Sequence, residues 1–387
     1  MANYDYEIVN GRKIRVRPKE TVSEIDKNGY FRRQPNHFTT PFGDGENDLK
    51  AEGNKRYRLV WAKLCHWSNR AAIVRELEGL EDQISVNMVE HAPHEKNLGW
   101  EYVYNENNID PVLGDQFLSE AYYRADDDYQ GRTTVPALID TTTGKVVNND
   151  YNWLTTYFEV NFRPWHKKGA PELYPVELRE EIDKMNLWLF DNINNAVYRS
   201  SFSRSNEGHF DGVNTFYAAM DRLEKRLETN RFIFGDYVTD SDIRLYVTLA
   251  RLDIRYTAQL GETKRPLYTY KNLWGYAKEL WEIPAFKNNT FFADFAVPPA
   301  DAKGRIEGEE DGFRASTHYD LALPKIDWDA QWKVSTERAY LSSDPTHPIY
   351  LGNNRRFDID PTWYDLGAES PKKEEKETPP SCGCCCG

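Results

Sequence analysis

Five cysteines occur in the 387 residues, and their placement is uneven. Cys65 stands alone in the body of the chain, whereas Cys382, Cys384, Cys385 and Cys386 crowd the C-terminal end. Thiol chemistry is thiolate chemistry, because the charged form is the nucleophile. Cys65 follows an alternating, β-prone run, Tyr57-Arg58-Leu59-Val60-Trp61-Ala62, and precedes a helical period that opens at Trp67. A sulfur at such a junction meets the unpaired N–H groups and the positive dipole end of a helix start, and both favour thiolate. The competing reading is a buried, inert cysteine, and the junction weighs against it. A dithiol pair would put a second cysteine three residues on, where Ser68 stands. Redox chemistry at Cys65 is therefore expected to use one thiol, with an outside thiol resolving the intermediate. His66, if protonated and turned toward the sulfur, would favour the thiolate further.

Other chemistry is poorly supported. The neighbourhood of His66, His91 and His94 holds no helical i, i+4 pair, and no residue is assigned to a metal. Cys384-Cys385-Cys386 are contiguous, unlike the separated pairs of a four-cysteine zinc site. A soft-metal peptide cluster, an acylation site and an artificially added segment all stay open for that tail. No Gly-rich phosphate loop and no Ser-His-Asp arrangement stands out. Thr239-Asp240-Ser241-Asp242 reads as a capping box, with Val238 and Ile243 as its staple, which is a folding device.

The elements that must position Cys65 follow from periodicity. Ile73, Val74, Leu77 and Leu80 make one helical face after the first strand, and Ile84 to Val89 is a second strand. After an insertion at 91–130, Thr133 to Asp140 and Val146 to Asn148 flank a turn at Thr143-Gly144 and read as a hairpin. Asn149 or Asp150 can cap the next helix, Trp153 to Phe158. The order β-α-β, then β-β-α, is that of a thioredoxin-like domain. In such domains a cis proline before the third strand faces the active-site thiol, a position Val135-Pro136 matches; an ordinary strand-edge proline fits these residues equally. Beyond 176 three apolar stripes run at helical spacing: Leu178 to Val197, Val213 to Leu227, and Ile243 to Ile254. The expected fold class is α/β plus all-α. A loop-rich extension (1–55) precedes a thioredoxin-like domain (56–160), a linker (161–176), an all-helical domain (177–290), an irregular extension (291–365) and a charged, disordered tail (366–387).

Composition narrows the partners. The net charge of −13 repels nucleic-acid backbones. No run approaches the roughly 18 apolar residues of a membrane span, and Met1 to Lys13 has no apolar block of a secretory signal. A lone body thiol cannot form an internal disulfide, which points to a reducing compartment, the cytoplasm. Eleven Trp and 24 Tyr suit both a large core and a small-molecule site.

Several segments resemble the glutathionyl-hydroquinone reductases, the Xi class of glutathione transferases. They are Tyr57 to Arg70, Gly131 to Pro136, Val147 to Asp150, Ile193-Asn194-Asn195-Ala196-Val197-Tyr198, and Phe232 to Asp236 through Arg251-Leu252-Asp253. The likeness runs from about Gly29 to Pro284 and implies a helical glutathione-transferase domain packed on the thioredoxin-like one. It implies that Cys65 is the nucleophile that takes glutathione from an aromatic adduct, that Trp100, Val135 and Asp150 hold glutathione, and that Tyr198 faces the aromatic substrate. His66, Trp67 and Pro136 are the implied neighbours of the thiol, glutathione the implied co-substrate, and a homodimer the implied assembly. The sequence departs from the family pattern at His66 for Pro, Ser68 for Ala, Asp150 for Glu and Tyr151 for Ser. Phe291-Phe292-Ala293-Asp294-Phe295 stands where the family has His-x-x-x-His-Tyr-Tyr. A related enzyme using another small thiol or electrophile, and a non-catalytic dimerisation or metal-binding module, are the alternative readings.

Overall fold

The computed structural model describes residues 4–16, 23–91, 98–257, 260, 265–295, 327–333 and 338–342. The tail cysteines and the expected disordered segment lie outside these residues.

A hairpin comes first: β1 (Tyr6–Val9) pairs with β2 (Arg12–Arg15) around Asn10-Gly11, whose φ values are 49° and 78°. This pair suits a two-residue turn that needs positive φ at both positions. It lies within the N-terminal extension read as loop-rich. The central sheet is built on β3 (Tyr57–Trp61), whose five residues are all buried. The strand is covered on both faces, and its one charged side chain, Arg58, is buried against Asp110 at 2.8 Å. The helix α1 (His66–Leu77) carries the chain to β4 (Ile84–Met88), parallel to β3 with Tyr57 opposite Ile84.

The insertion at 91–130 carries structure of its own among its described residues. It holds the two-residue strands β5 (Glu90–His91) and β6 (Trp100–Glu101) and the helix α2 (Leu118–Ala125). Next come β7 (Ala137–Asp140), antiparallel to β3, and β8 (Lys145–Asn148), giving the sheet order β4-β3-β7-β8. The third strand thus begins after Pro136, not at Thr133, because the Val135–Pro136 peptide bond is cis and proline offers no N–H to a ladder. α3 (Leu154–Val160) follows, with Trp153 as its cap residue. Asp150 instead takes the Asn152 N–H on its side chain, while its carbonyl accepts from Leu154 N at 2.9 Å. The sheet alternates: Leu59 and Leu138 join the core of α1 and α3, and Val60, Ala137 and Ile139 join the core that holds Cys65 and α2.

The helical part contains α4 (Arg179–Leu189), α5 (Ala196–Phe202), α6 (Asn206–Arg226), α7 (Asp240–Arg251), α8 (Lys271–Trp281), α9 (Pro284–Asn288) and α10 (Phe292–Phe295). The stripe from Leu178 to Val197 is two helices, because a wider turn at Phe190–Asn194 separates α4 from α5. There the buried Asn194 amide donates to the Arg244 carbonyl and Thr248 Oγ1 on α7. The expected capping box forms, with Thr239 N donating to Asp242 Oδ2 at 2.8 Å. α7 is buried along its whole length. One side of α1 packs on it, which is why α1 buries His66, Asn69 and Arg70 as well as apolar residues. In the extension expected to be irregular, α11 (Trp328–Trp332) sets the buried Trp332 against Trp274 and Phe292.

Candidate active site

Cys65 is the residue before the first turn of α1, with extended backbone (φ −84°, ψ 114°), and it is 7% exposed. Its carbonyl accepts the first helical bond, from Asn69 N, at 3.0 Å. Its thiol donates to the Val135 carbonyl at 3.7 Å, so the cis proline segment faces the sulfur. Among the described residues it is the sole cysteine. Ser68 does not substitute for a second thiol: its hydroxyl accepts from Ala62 N at 3.1 Å and bonds the loop that leads into α1.

The loop is also fixed from the helical side. The fully buried Arg251 guanidinium donates to the carbonyls of Lys63 (2.7 Å), Leu64 (2.9 Å) and Val247 (2.8 Å) and to Asn69 Oδ1 (3.1 Å). It has no carboxylate within bonding distance among the described residues, and burial lowers its pKa from the ordinary arginine value. The Arg251-Leu252-Asp253 segment was visible in the sequence, but its use as a clamp on the thiol loop was not, since a lone arginine in a helix usually faces water.

His66 bonds the helical part and not the sulfur. Its Nδ1 lies 3.0 Å from the Tyr256 hydroxyl and 3.4 Å from Thr248 Oγ1, both in the helical part. Burial, then the charges of Arg251, Arg33 and Arg70, holds its pKa well below the usual histidine value. The expected help from a protonated His66 is therefore withdrawn: the ring is neutral and oriented by hydroxyls. A pH effect on stability follows. Below the unfolded pKa of about 6.5 the unfolded chain binds a proton that the native ring refuses, so stability falls as pH falls. The unfolding free energy of wild type relative to His66→Gln should drop by roughly 1 kcal/mol between pH 6 and pH 5 in urea titrations. A pH-independent difference would contradict a neutral buried His66.

The remaining candidates divide by distance from the thiol. Trp67, Trp100, Val135 and Tyr151 share one buried cluster with Cys65, and Tyr198 packs against it. Trp67 meets Tyr151 at 4.7 Å and Tyr198 at 5.9 Å between ring centroids. Trp100 stacks on His91 at 3.8 Å, and Gly99 before it, at φ 81°, comes so close to Thr133 that a Cβ would sit 2.9 Å from its hydroxyl. Asp150 is buried, and its Oδ1 accepts from Asn36 at 2.9 Å. The Tyr151 ring stacks on Phe190, while its carbonyl takes the Arg70 guanidinium. Tyr198, on α5, lies 5.2 Å from the His66 ring and bonds Tyr256. Burial and then the nearby Cys65 charge raise its pKa, so it remains a protonated phenol.

The strap formed by residues 23–42 was missed entirely as part of the site. Glu24 pairs with Arg132 at 2.7 and 2.9 Å, Gln34 accepts from Arg132 N at 2.8 Å, and Phe38 N donates to Asn149 Oδ1 at 3.0 Å. Arg33 enters the ring cluster beside Tyr198 and Trp67. These pairs span about a hundred residues in sequence, and no local pattern announces them.

A thiol at the helix start of a thioredoxin-like sheet, facing a cis proline and backed by an all-helical domain, defines a glutathione transferase. Residues 197–279 match the family model described as the glutathione S-transferase C-terminal domain. The chain is 34% identical over 277 residues to glutathione S-transferase omega-like 2 of Schizosaccharomyces pombe, covering 69% of this chain and 87% of that one. It is 32% identical over 237 residues to glutathionyl-hydroquinone reductase YqjG of Escherichia coli, covering 61% and 72%. The glutathione-bound structure of YqjG superposes with a TM-score of 0.60 at 30% identity, over 69% of this chain and 87% of that one. The Xi glutathione S-transferase of Phanerochaete chrysosporium superposes with a TM-score of 0.64 at 33% identity, over 70% and 88%. The chain belongs to the glutathionyl-hydroquinone reductase family, the Xi class of glutathione transferases. Among the described residues, no helix is long and apolar enough to cross a membrane.

Proposed function

We propose that the protein removes glutathione from glutathionyl-hydroquinones or similar aromatic adducts through a mixed disulfide on Cys65. Glutathione is the co-substrate. The observation that carries this reading is the single described thiol at the start of α1, against the Val135 carbonyl, with a protonated phenol, Tyr198, beside it. The Cys65 thiolate attacks the adduct sulfur; the sulfur–carbon bond breaks, the ring carbon takes up a proton, and hydroquinone leaves. A second glutathione thiolate attacks the mixed disulfide, giving glutathione disulfide and free Cys65.

In this reading residues 56–160 bind glutathione, with Trp100 packed on it, the Val135 backbone pairing with its cysteinyl unit, and Asp150 at its γ-glutamyl end. Trp67 and Pro136 shape the thiol's surroundings, and His66 braces α1 against the helical domain of residues 177–290. The enzyme acts in the cytoplasm as a homodimer. The test is stoichiometry: each adduct consumed with one added glutathione should yield one hydroquinone and one glutathione disulfide. Glutathione transfer onto a carbon electrophile without disulfide formation would exclude the scheme.

Tyr198 donates a hydrogen bond to a ring oxygen of the acceptor and assists its departure. Tyr198→Phe should slow hydroquinone release about a hundredfold, the low end of the usual range for a positioned acid, and leave reduction of a simple mixed disulfide of glutathione nearly unchanged. Equal loss on both substrates would assign Tyr198 to packing.

A further inference from the structure

Arg33 has a charge that the protein leaves unanswered. Its guanidinium carbon lies 4.6 Å from the Trp67 ring centroid and 4.5 Å from that of Tyr198. Nε donates to Asn195 Oδ1 at 2.9 Å, whereas Nη2 is buried and has no hydrogen-bond partner. The acid nearest in charge, Glu24, is held by Arg132 at 2.7 and 2.9 Å and by the Gln34 N–H at 2.7 Å. No carboxylate among the described residues pairs with Arg33. The Trp67 indole N–H, on the ring that Arg33 covers, is likewise buried without a partner. A half-buried cation with no paired carboxylate and a buried donor without an acceptor both cost free energy. A bound anion beside Cys65 would relieve both, in a chain whose net charge is −13.

We propose that Arg33 is an anion subsite of the acceptor site, and that the preferred acceptor is an aromatic adduct whose ring carries a carboxylate or an ionised phenol. The ring lies among Trp67 and Tyr198, and the charged oxygen accepts from Arg33 Nη2. Arginine suits this task because its planar fork can bond one neighbour through Nε while presenting its outer nitrogens to an oxyanion. The proposal rests on the thiol-transfer reading and adds the charge of the substrate to it. The rival role for Arg33 is a tether, holding the strap to α5 through Asn195 alone.

The experiment uses the full chain as wild type, Arg33→Met and Arg33→Lys. It compares kcat/KM for the glutathionyl adducts of hydroquinone and of gentisate, the carboxylated hydroquinone. It also measures calorimetric binding of the two free hydroquinones. Wild type should favour the carboxylated adduct about tenfold, the gain of one charge-assisted hydrogen bond. The ratio should fall to about one in Arg33→Met and stay intermediate in Arg33→Lys. A ratio near one in wild type, or a ratio unchanged in Arg33→Met, overturns the subsite; the second result is also the one expected if Arg33 binds a carboxylate of glutathione or only tethers the strap. If neither adduct turns over but gentisate binds wild type about tenfold more tightly than Arg33→Met, the subsite stands and the thiol-transfer reading falls. If gentisate binding shows no such difference either, both fall.

Discussion

Cys65→Ser should lower hydroquinone release from a glutathionyl adduct by at least about a thousandfold, as removal of a covalent nucleophile does. A serine hydroxyl is un-ionised near neutral pH and cannot form a disulfide, so the first covalent step has no substitute. Ser68 cannot take over, because its hydroxyl is engaged with Ala62. His66 is a poor base for the new hydroxyl, because burial holds its pKa well below the usual histidine value and its Nδ1 is engaged with Tyr256 and Thr248. The replacement removes little volume, so thermal unfolding should shift by no more than about 2 °C, corresponding to under 1 kcal/mol. Steady-state rates on both proteins, with a melting curve for each, check the expectation. A variant that still turns over within tenfold of wild type would move the chemistry to another thiol.

The second large effect is expected at Arg251. Its guanidinium joins α7 to the loop before α1 by donating to the carbonyls of Lys63 and Leu64 and to Asn69 Oδ1. It also stacks on Phe295, 3.9 Å from that ring centroid. Arg251→Ala leaves buried acceptors without donors and opens a cavity where a long side chain was. Each unpaired buried acceptor costs about 1–3 kcal/mol, and removing the desolvated charge offsets part of that. The net loss should be about 2–4 kcal/mol, read as a lowered urea midpoint. Because the loop carries Cys65, kcat should fall along with stability even well below the melting temperature. Arg251→Lys should recover only part, since one ammonium cannot span carbonyls and a side-chain amide as the fork does. A midpoint unchanged in Arg251→Ala would show that the clamp contributes nothing to the loop.

The parts of the fold that local patterns govern were readable in advance. Val60 and Ile84 sit in strands, Ile73 and Leu77 on one helix face, and Thr239 and Asp242 in a capping box, because each is decided within a few residues. The placement of Cys65 at a strand-to-helix junction belongs to the same class. The Asn10-Gly11 turn is equally local, but its strands are only four residues each and the second is mostly charged, so no apolar pattern marks them. What stayed hidden depends on partners far along the chain. Asn36 meets Asp150, Arg251 meets Lys63, and His66 meets Tyr256, and none of these has a periodic signature. The break between α4 and α5 was hidden for a related reason: its apolar stripe continues through the wider turn, which Asn194 anchors to α7.

Single-turnover mass spectrometry tests the central claim most directly. The full chain, fully reduced, is mixed with an equimolar glutathionyl-hydroquinone and no free glutathione, quenched in acid and digested. The expected result is one glutathione joined by a disulfide to the peptide that contains Cys65, in amount equal to the hydroquinone released, and its removal on addition of glutathione. Hydroquinone release with no glutathione on Cys65, or glutathione found only on the peptide with Cys382, Cys384, Cys385 and Cys386, would contradict it.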